Sequence, residues 1–246
     1  MDTADVWVAG VDGCSGGWLV VLRPLIPASP PRVLLLRTFA EVLALPEAPR
    51  MIAVDIPIGL PDRSGIGGRA ADIEARAKLG ARQSSVFAIP ARAAILETDY
   101  RRACAVAALH SDPPRKISKQ TFNLFRKIRE VDALMTPALQ SRVVECHPEL
   151  AFWVLNGERP LDEPKKVKSR PHSAGLELRR HLLRAAGFAD AFLRERPFRA
   201  SDAGPDDLLD ACACALSAER MLSGTAHCYP AEPPLDARGL RQEIRA

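Results

Sequence analysis

Aromatic side chains are scarce in this sequence, at 5% of 246 residues, and no aromatic-rich surface motif of the kind that stacks single-stranded bases can be picked out. Cysteine is present but unorganised. The six cysteines, at 14, 104, 146, 212, 214 and 228, form no CxxC pair and no zinc-like spacing, which excludes a zinc ribbon and reads as reduced core residues of a cytoplasmic protein. Long apolar runs are missing too, since none approaches the roughly 20 residues that cross a bilayer. The opening MDTADVW is acidic rather than basic, so a soluble, unexported protein is expected. A strong charge excess is also absent: a net charge of +4 permits a polyanionic partner without demanding one.

What remains is an ordinary globular composition, 47% hydrophobic, long enough for one elaborated domain or a domain carrying a large insertion. The stretch VWVAGVDGCSGGW is an apolar, β-favouring run that ends on Asp12 and turns through Gly13, Gly16 and Gly17. Strand one is therefore expected at about 5–12, with further strands at 18–23 and 32–38. Their connection, PLIPASPP, is too rich in proline for a helix or a paired strand. A short helix at 39–45 follows, and then MIAVDIP, a second continuous apolar strand that ends on a carboxylate, Asp55.

Residues 62–114 change character, becoming rich in arginine and alanine, with a glycine-bearing loop and helical stretches. Singly, their cations read as a solvated helix face. As a group they could form an anion-binding cap. KQTFNLFRKIREVDALM carries Phe122, Phe125, Ile128 and Val131 at helical spacing and reads as a core-packed helix. RVVECH gives a fifth strand, after which Glu145, His147 and Glu149 could serve as metal ligands, although a lone His near a strand end reads first as structural. A basic segment, 165–184, begins as a loop and becomes a helix after 173 or 175, and Gly204-Pro205 introduces a last helix, DDLLDACACALSAERML. Asp207 and Asp210, or Asp206 and Asp210, share one face of that helix. Acids at a helix start normally complement the dipole, a reading that suits Asp210 least because it lies a turn deeper.

The element order predicts an α/β fold in which an antiparallel meander leads into parallel strands. With strand four beside strand one, Asp12 and Asp55 end at the same sheet edge, where open α/β sheets bind ligands. The last helix would bring Asp207 or Asp210 to them. Carboxylates so close repel one another and call for hard divalent cations, Mg2+ or Mn2+, which suit in-line phosphoryl displacement without a side-chain nucleophile. Lysine or arginine bridging the cluster would argue for a structural role instead.

Asp12 in VDG, Asp55 at the end of strand four and DxxDAxAxA from Asp207 to Ala215 resemble the ribonuclease H-like superfamily. More narrowly, VDGCSGGW, DIPIGLP, ARxxLGARQSSVFAIPAR, ISKQTFNLFRKIREVD, ECHPELAF and DDLLDA together resemble the domain-of-unknown-function 429 family, described as predicted ribonuclease H-like nucleases. The resemblance spans nearly the whole chain. It implies one ribonuclease H-like domain over 1–246, with a mixed five-stranded sheet flanked by helices and an inserted helical subdomain at about 62–114. It also implies hydrolysis of DNA or RNA with Mg2+ or Mn2+ at Asp12, Asp55, Asp207 and Asp210, with Glu145 as a further ligand. The helix-borne glutamate of ribonuclease H has only Glu41 as a nearby counterpart. Apart from the resemblance, which transfers no substrate role to the insertion, the basic segments are expected to hold substrate phosphates through Arg76, Arg82, Arg92, Lys119 and Lys168. Two other functions compete: a non-catalytic scaffold that binds nucleic acid or protein, and a nucleotide-phosphate-binding protein of the actin and sugar-kinase type.

Overall fold

The computed structural model describes residues 6–26, 29–168 and 170–246. Strands β1 (Trp7–Cys14), β2 (Gly17–Pro24) and β3 (Arg32–Leu36) form the expected meander, and α1 (Phe39–Leu43) leads to β4 (Met51–Val54). Within the connection 24–31, Pro27 and Ala28 lie outside the described residues, as does the acidic start, 1–5. Four helices follow: α2 (Ala70–Lys78), α3 (Arg92–Ile95), α4 (Tyr100–Leu109) and α5 (Lys119–Leu134). Strand β5 (Val143–Glu145) runs into α6 (Pro148–Leu155). A hairpin, β6 (Lys166–Val167) and β7 (Arg170–Pro171), precedes α7 (Ser173–Ala185), α8 (Asp190–Leu193) and α9 (Pro205–Ser223), and β8 (Cys228–Tyr229) pairs with β9 (Ile244–Arg245).

The main sheet has five strands in the order β3-β2-β1-β4-β5. Pairs β1–β2 and β2–β3 are antiparallel, whereas β1–β4 and β4–β5 are parallel. This mixed sheet with helices on both faces agrees with the ribonuclease H-like arrangement. Because side chains alternate along each strand, the sheet separates two cores. Ala9, Val11, Val20 and Val54 pack with Phe125, Ile128 and Val131 of α5. Val8, Leu19, Val21 and Ala53 pack with Ala211, Cys212 and Ala215 of α9.

Strand one differs from expectation in where it ends. It continues through Asp12 to Cys14, and Ser15 and Gly16 form a two-residue hairpin turn into β2. Asp12 therefore lies inside a paired strand, opposite Leu19, rather than at its end. The ladder continues because Gly17, at φ +138°, lets the chain turn back under Leu36.

Residues 62–114 are helical, as expected, but they are fastened to the rest of the chain. Ile89, Ile95 and Ala103 enter the α5 core, while Ala71, Ala75 and Leu79 pack with Leu150, Trp153 and Ile244. Arg69 ties the start of α2 to β5 through Glu145.

The tightest packing occurs where α9 crosses β1. A Cβ on Gly10 would overlap the carbonyl oxygen of Ala211 and the amide of Ala215. Main chain thus meets main chain, and the alanines of DACACA keep the helix side of the contact equally thin. Gly10→Ala is expected to cost about 1–3 kcal/mol or more, because neither backbone can give way. Urea denaturation measures this, and an unchanged midpoint would contradict the close contact.

Candidate carboxylate site

Val11 pairs with Val54 in the parallel β1–β4 ladder, and the Asp55 amide donates to the Val11 carbonyl at 2.9 Å. Asp12 and Asp55 are consequently neighbours, both on the face crossed by α9. Asp210 reaches them from α9, one residue before the Ala211 carbonyl that lies against Gly10. Glu149 comes from the first turn of α6, where Pro148 opens the helix.

Each of these groups feels the others' charge. Burial first, and then the charges of Asp55, Asp210 and Asp207, hold the Asp12 carboxyl well above its usual range, while Lys165 opposes them. Asp55 is raised by burial and by Glu149, against His147 and Lys165. Asp210 is pushed up to about 7 by burial, with Lys165 opposing and Glu149 and Asp55 adding. Asp207 is raised by burial against the Gly204 amide, which donates to its Oδ2 at 2.7 Å.

Among the described residues two cations meet this cluster, Lys165 at Asp210 and Arg179 at Glu149. The Lys165 ammonium pairs with Asp210, and Lys166 pairs with Asp206 at 2.6 Å. Burial alone would lower Lys165, but Asp210, Asp12 and Glu149 together hold it above its ordinary value. Gly175 makes its position possible, since a Cβ there would strike the Pro164 carbonyl. The segment before β6 can therefore tuck against α7, with the His172 amide donating to the Lys165 carbonyl at 2.9 Å. Arg179, fully buried on α7, holds Glu149 Oε1 at 2.5 Å.

Not every predicted ligand joins. Glu145 pairs with Val54 in the β4–β5 ladder, and Val54 belongs to the α5 face. Alternation therefore places Glu145 on the α5 side of the sheet, although it still lines the cavity that Asp55, Glu149 and Lys165 border. Arg69 grips it through two nitrogens at 2.6 and 2.8 Å, and the Ile58 amide donates to it at 2.7 Å. Asp72 completes that buried group, 2.7 Å from Arg69. The metal-ligand expectation for Glu145 is corrected accordingly: its oxygens are committed to the Arg69 link. Glu41 is no ligand either, because its Oε2 accepts from the Arg37 amide at 2.8 Å in the capping box that starts α1. Asp207 lies near Asp12, with one oxygen spent on the helix cap.

The five assigned phosphate contacts scatter. Arg92 is held between Asp132 and Asp236, and Arg76 holds the Gly67 carbonyl. Lys119 sits over the Tyr100 ring at 4.5 Å. Arg82 lies in the turn Gly80–Ser85, and exposed Lys168 lies between β6 and β7. Ser169, in the same expected loop, falls outside the described residues. None of the five lines the cavity of about 280 Å³ beside the carboxylates, whose wall includes Asp55, Glu149, Lys165 and His147. His147 Nε2 lies 3.3 Å from the Ser85 carbonyl, and its buried Nδ1 has no partner among the described residues.

The donors are all carboxylate oxygens, the set that hard divalent cations prefer. Asp210 Oδ1 and Glu149 Oε2 are buried without a hydrogen-bond partner, and no described residue donates to the side chains of Asp12 or Asp55. Among the described residues, no group of three His, Cys, Asp or Glu side chains is close enough to hold an ion in this arrangement. Lys165 supplies the balancing charge there. The oxygen donors match Mg2+ or Mn2+ in chemistry alone; as arranged, with Lys165 on Asp210, the described residues form no ion-holding group.

A carboxyl raised on folding binds its proton more tightly in the folded chain, so stability falls as pH rises from the unfolded to the folded value. For Asp210 that window runs from 3.8 to about 7. Thermal melts of the metal-free protein should show stability falling through this window, and the fall should be smaller in Asp210→Asn; an equal fall would remove Asp210 as its source. Glu145→Gln should cost about 3–5 kcal/mol by leaving Arg69 under-compensated. Any Mn2+ uptake, read by calorimetry, should match wild type, because both Glu145 oxygens are committed to Arg69.

No curated protein and no solved structure matches this chain. A family model described as a protein of unknown function, DUF429, does match, over residues 10–235, and the chain belongs to that family.

Proposed function

We propose that this protein hydrolyses phosphodiester bonds of nucleic acid, with divalent ions held by Asp12, Asp55 and Asp210, flanked by Glu149 and Asp207. The observation that carries this reading is the meeting of Asp12, Asp55 and Asp210, with Asp210 Oδ1 and the neighbouring Glu149 Oε2 buried without a donor. Such groups cost several kcal/mol unless a cation meets them. When bound, Mg2+ or Mn2+ supplies Lewis-acid activation of the phosphodiester and of the attacking water.

The chain's own residues do the rest. Asp12 and Asp55 are fixed by adjacent strands, and Asp210 is set by the α9–β1 contact. Lys165, released from Asp210, is the nearby cation that can meet a phosphate oxygen. No serine or cysteine nucleophile is required. The same reading places the protein in the cytoplasm, in keeping with its six free cysteines. Among the described residues, no helix is long and apolar enough to cross a membrane.

A second reading rests on the Lys165–Asp210 and Lys166–Asp206 pairs, which balance two of the acids without an ion. On that reading the site is structural and the fold is a binding scaffold. Calorimetric titration with Mn2+, alongside cleavage assays on DNA and RNA, separates the two. Wild type should take up Mn2+ and cleave, whereas Asp12→Asn should lose cleavage by at least about 100-fold. Lys165→Ala should bind Mn2+ several-fold more tightly. If neither wild type nor Lys165→Ala takes up Mn2+, the scaffold reading prevails.

A further inference from the structure

Beside the carboxylate cleft lies a second cavity of about 270 Å³, between the glycine loop 64–68 and the start of α5. Its wall carries Arg115 and Lys116, both exposed, and neither side chain has an ion-pair or hydrogen-bond partner among the described residues. No acidic side chain lines it, again among the described residues. Asp72, behind the loop, is taken up by Arg69 and by the amides of Arg69 and Ile89. Asp112, on the adjoining turn, does not line the cavity. Ser118, the N-cap of the 16-residue α5, does line it, and the helix dipole adds positive potential at that end.

The loop is built rigidly around bare backbone. Ser64 exchanges backbone hydrogen bonds with His110 and Asp112 at 2.9 and 3.1 Å, and Arg76 holds the Gly67 carbonyl. Gly67 and Gly68 need glycine, at φ +93° and +90°. Gly65 does not: its φ is not positive, and a Cβ there would meet nothing within 4 Å. Its missing side chain leaves the backbone open to the cavity it lines. The cavity shares Val86, Phe87 and Ile89 with the carboxylate cleft, so one chain segment divides the two. At about 270 Å³ the cavity lies near the ~300 Å³ lower end for small-molecule pockets and cannot enclose a duplex.

We propose that this cavity is an anion site that holds a backbone phosphate of single-stranded nucleic acid, the same strand reaching the cleft lined by Asp55 and Glu149 across Phe87. The proposal rests on the phosphodiesterase reading for its ligand, but its test does not depend on cleavage. Fluorescence anisotropy with short labelled single-stranded DNA and RNA, in chelator, compares wild type with Arg115→Ala/Lys116→Ala and with Gly65→Val. An Arg101→Ala/Arg102→Ala pair on α4 serves as a control for net charge.

Affinity should fall about 10-fold in the Arg115/Lys116 pair, with the salt slope reduced by about 0.7 for each phosphate the variant no longer neutralises. Gly65→Val should weaken binding with no change in charge, and the α4 pair should change it less than about 2-fold. Three results would overturn the site: no binding by wild type, equal loss in both arginine-bearing pairs, or no loss in either Arg115→Ala/Lys116→Ala or Gly65→Val. Loss confined to those two variants, in a protein that takes up no Mn2+, would uphold the anion site while sinking the phosphodiesterase reading.

Discussion

The contact between α9 and β1 is the constraint on which the rest depends. Gly10 offers no side chain, and the Ala211 carbonyl and Ala215 amide occupy the space a Cβ would need. Helix and sheet therefore meet at backbone distance, and Asp210 is carried to the level of Asp12. A bulkier residue on either side would lift the helix and separate the acids. The small residues of DACACA are thus part of the site without supplying any donor to it.

Bringing those acids together is costly, and the fold offsets the cost unevenly. Glu145 and Asp72 share Arg69 in a closed group whose charges and hydrogen bonds are largely satisfied. Asp12, Asp55, Asp210 and Glu149 are not so treated. Arg179 takes one oxygen of Glu149, Lys165 takes one of Asp210, and the remainder stay open or unpartnered. Both acidic groups contribute to the wall of one cavity, the first sealed by Arg69 and the second met by Arg179 at Glu149 and by the flexible Lys165 ammonium at Asp210. An ammonium on a four-carbon stem can leave, whereas a buried fork with several bonds cannot without unfolding its surroundings. The Lys165 ammonium at Asp210 is the partner that can move, and it sets the candidate site apart from the group sealed by Arg69.

Much of this is legible in the residues. The five strands, the α5 stripe and the final helix follow from apolar periodicity and from Gly and Pro punctuation, which act locally. Asp12 and Asp55 are visible because each interrupts a continuous apolar run. Glu145 is misplaced by sequence reasoning because its side of the sheet depends on the register with β4, and a shift of one residue reverses every side chain. Arg76 and Arg92 look like free cations because their partners, the Gly67 carbonyl and Asp132 with Asp236, are set by folding rather than by neighbours in sequence. Arg115 and Lys116 carry no distinguishing signal, since an exposed basic pair in a loop is common.

By itself, then, the sequence determined the class of fold, the two strand-borne aspartates and the acidic, small-residue helix that closes over them, because each depends on short-range pattern. The tertiary structure alone decided that Lys165, among several similar cations, enters the cluster, that Glu149 rather than Glu145 flanks it, and that a glycine loop meets Arg115 and Lys116. Those pairings join residues distant in the chain, and only packing chooses between chemically equivalent candidates.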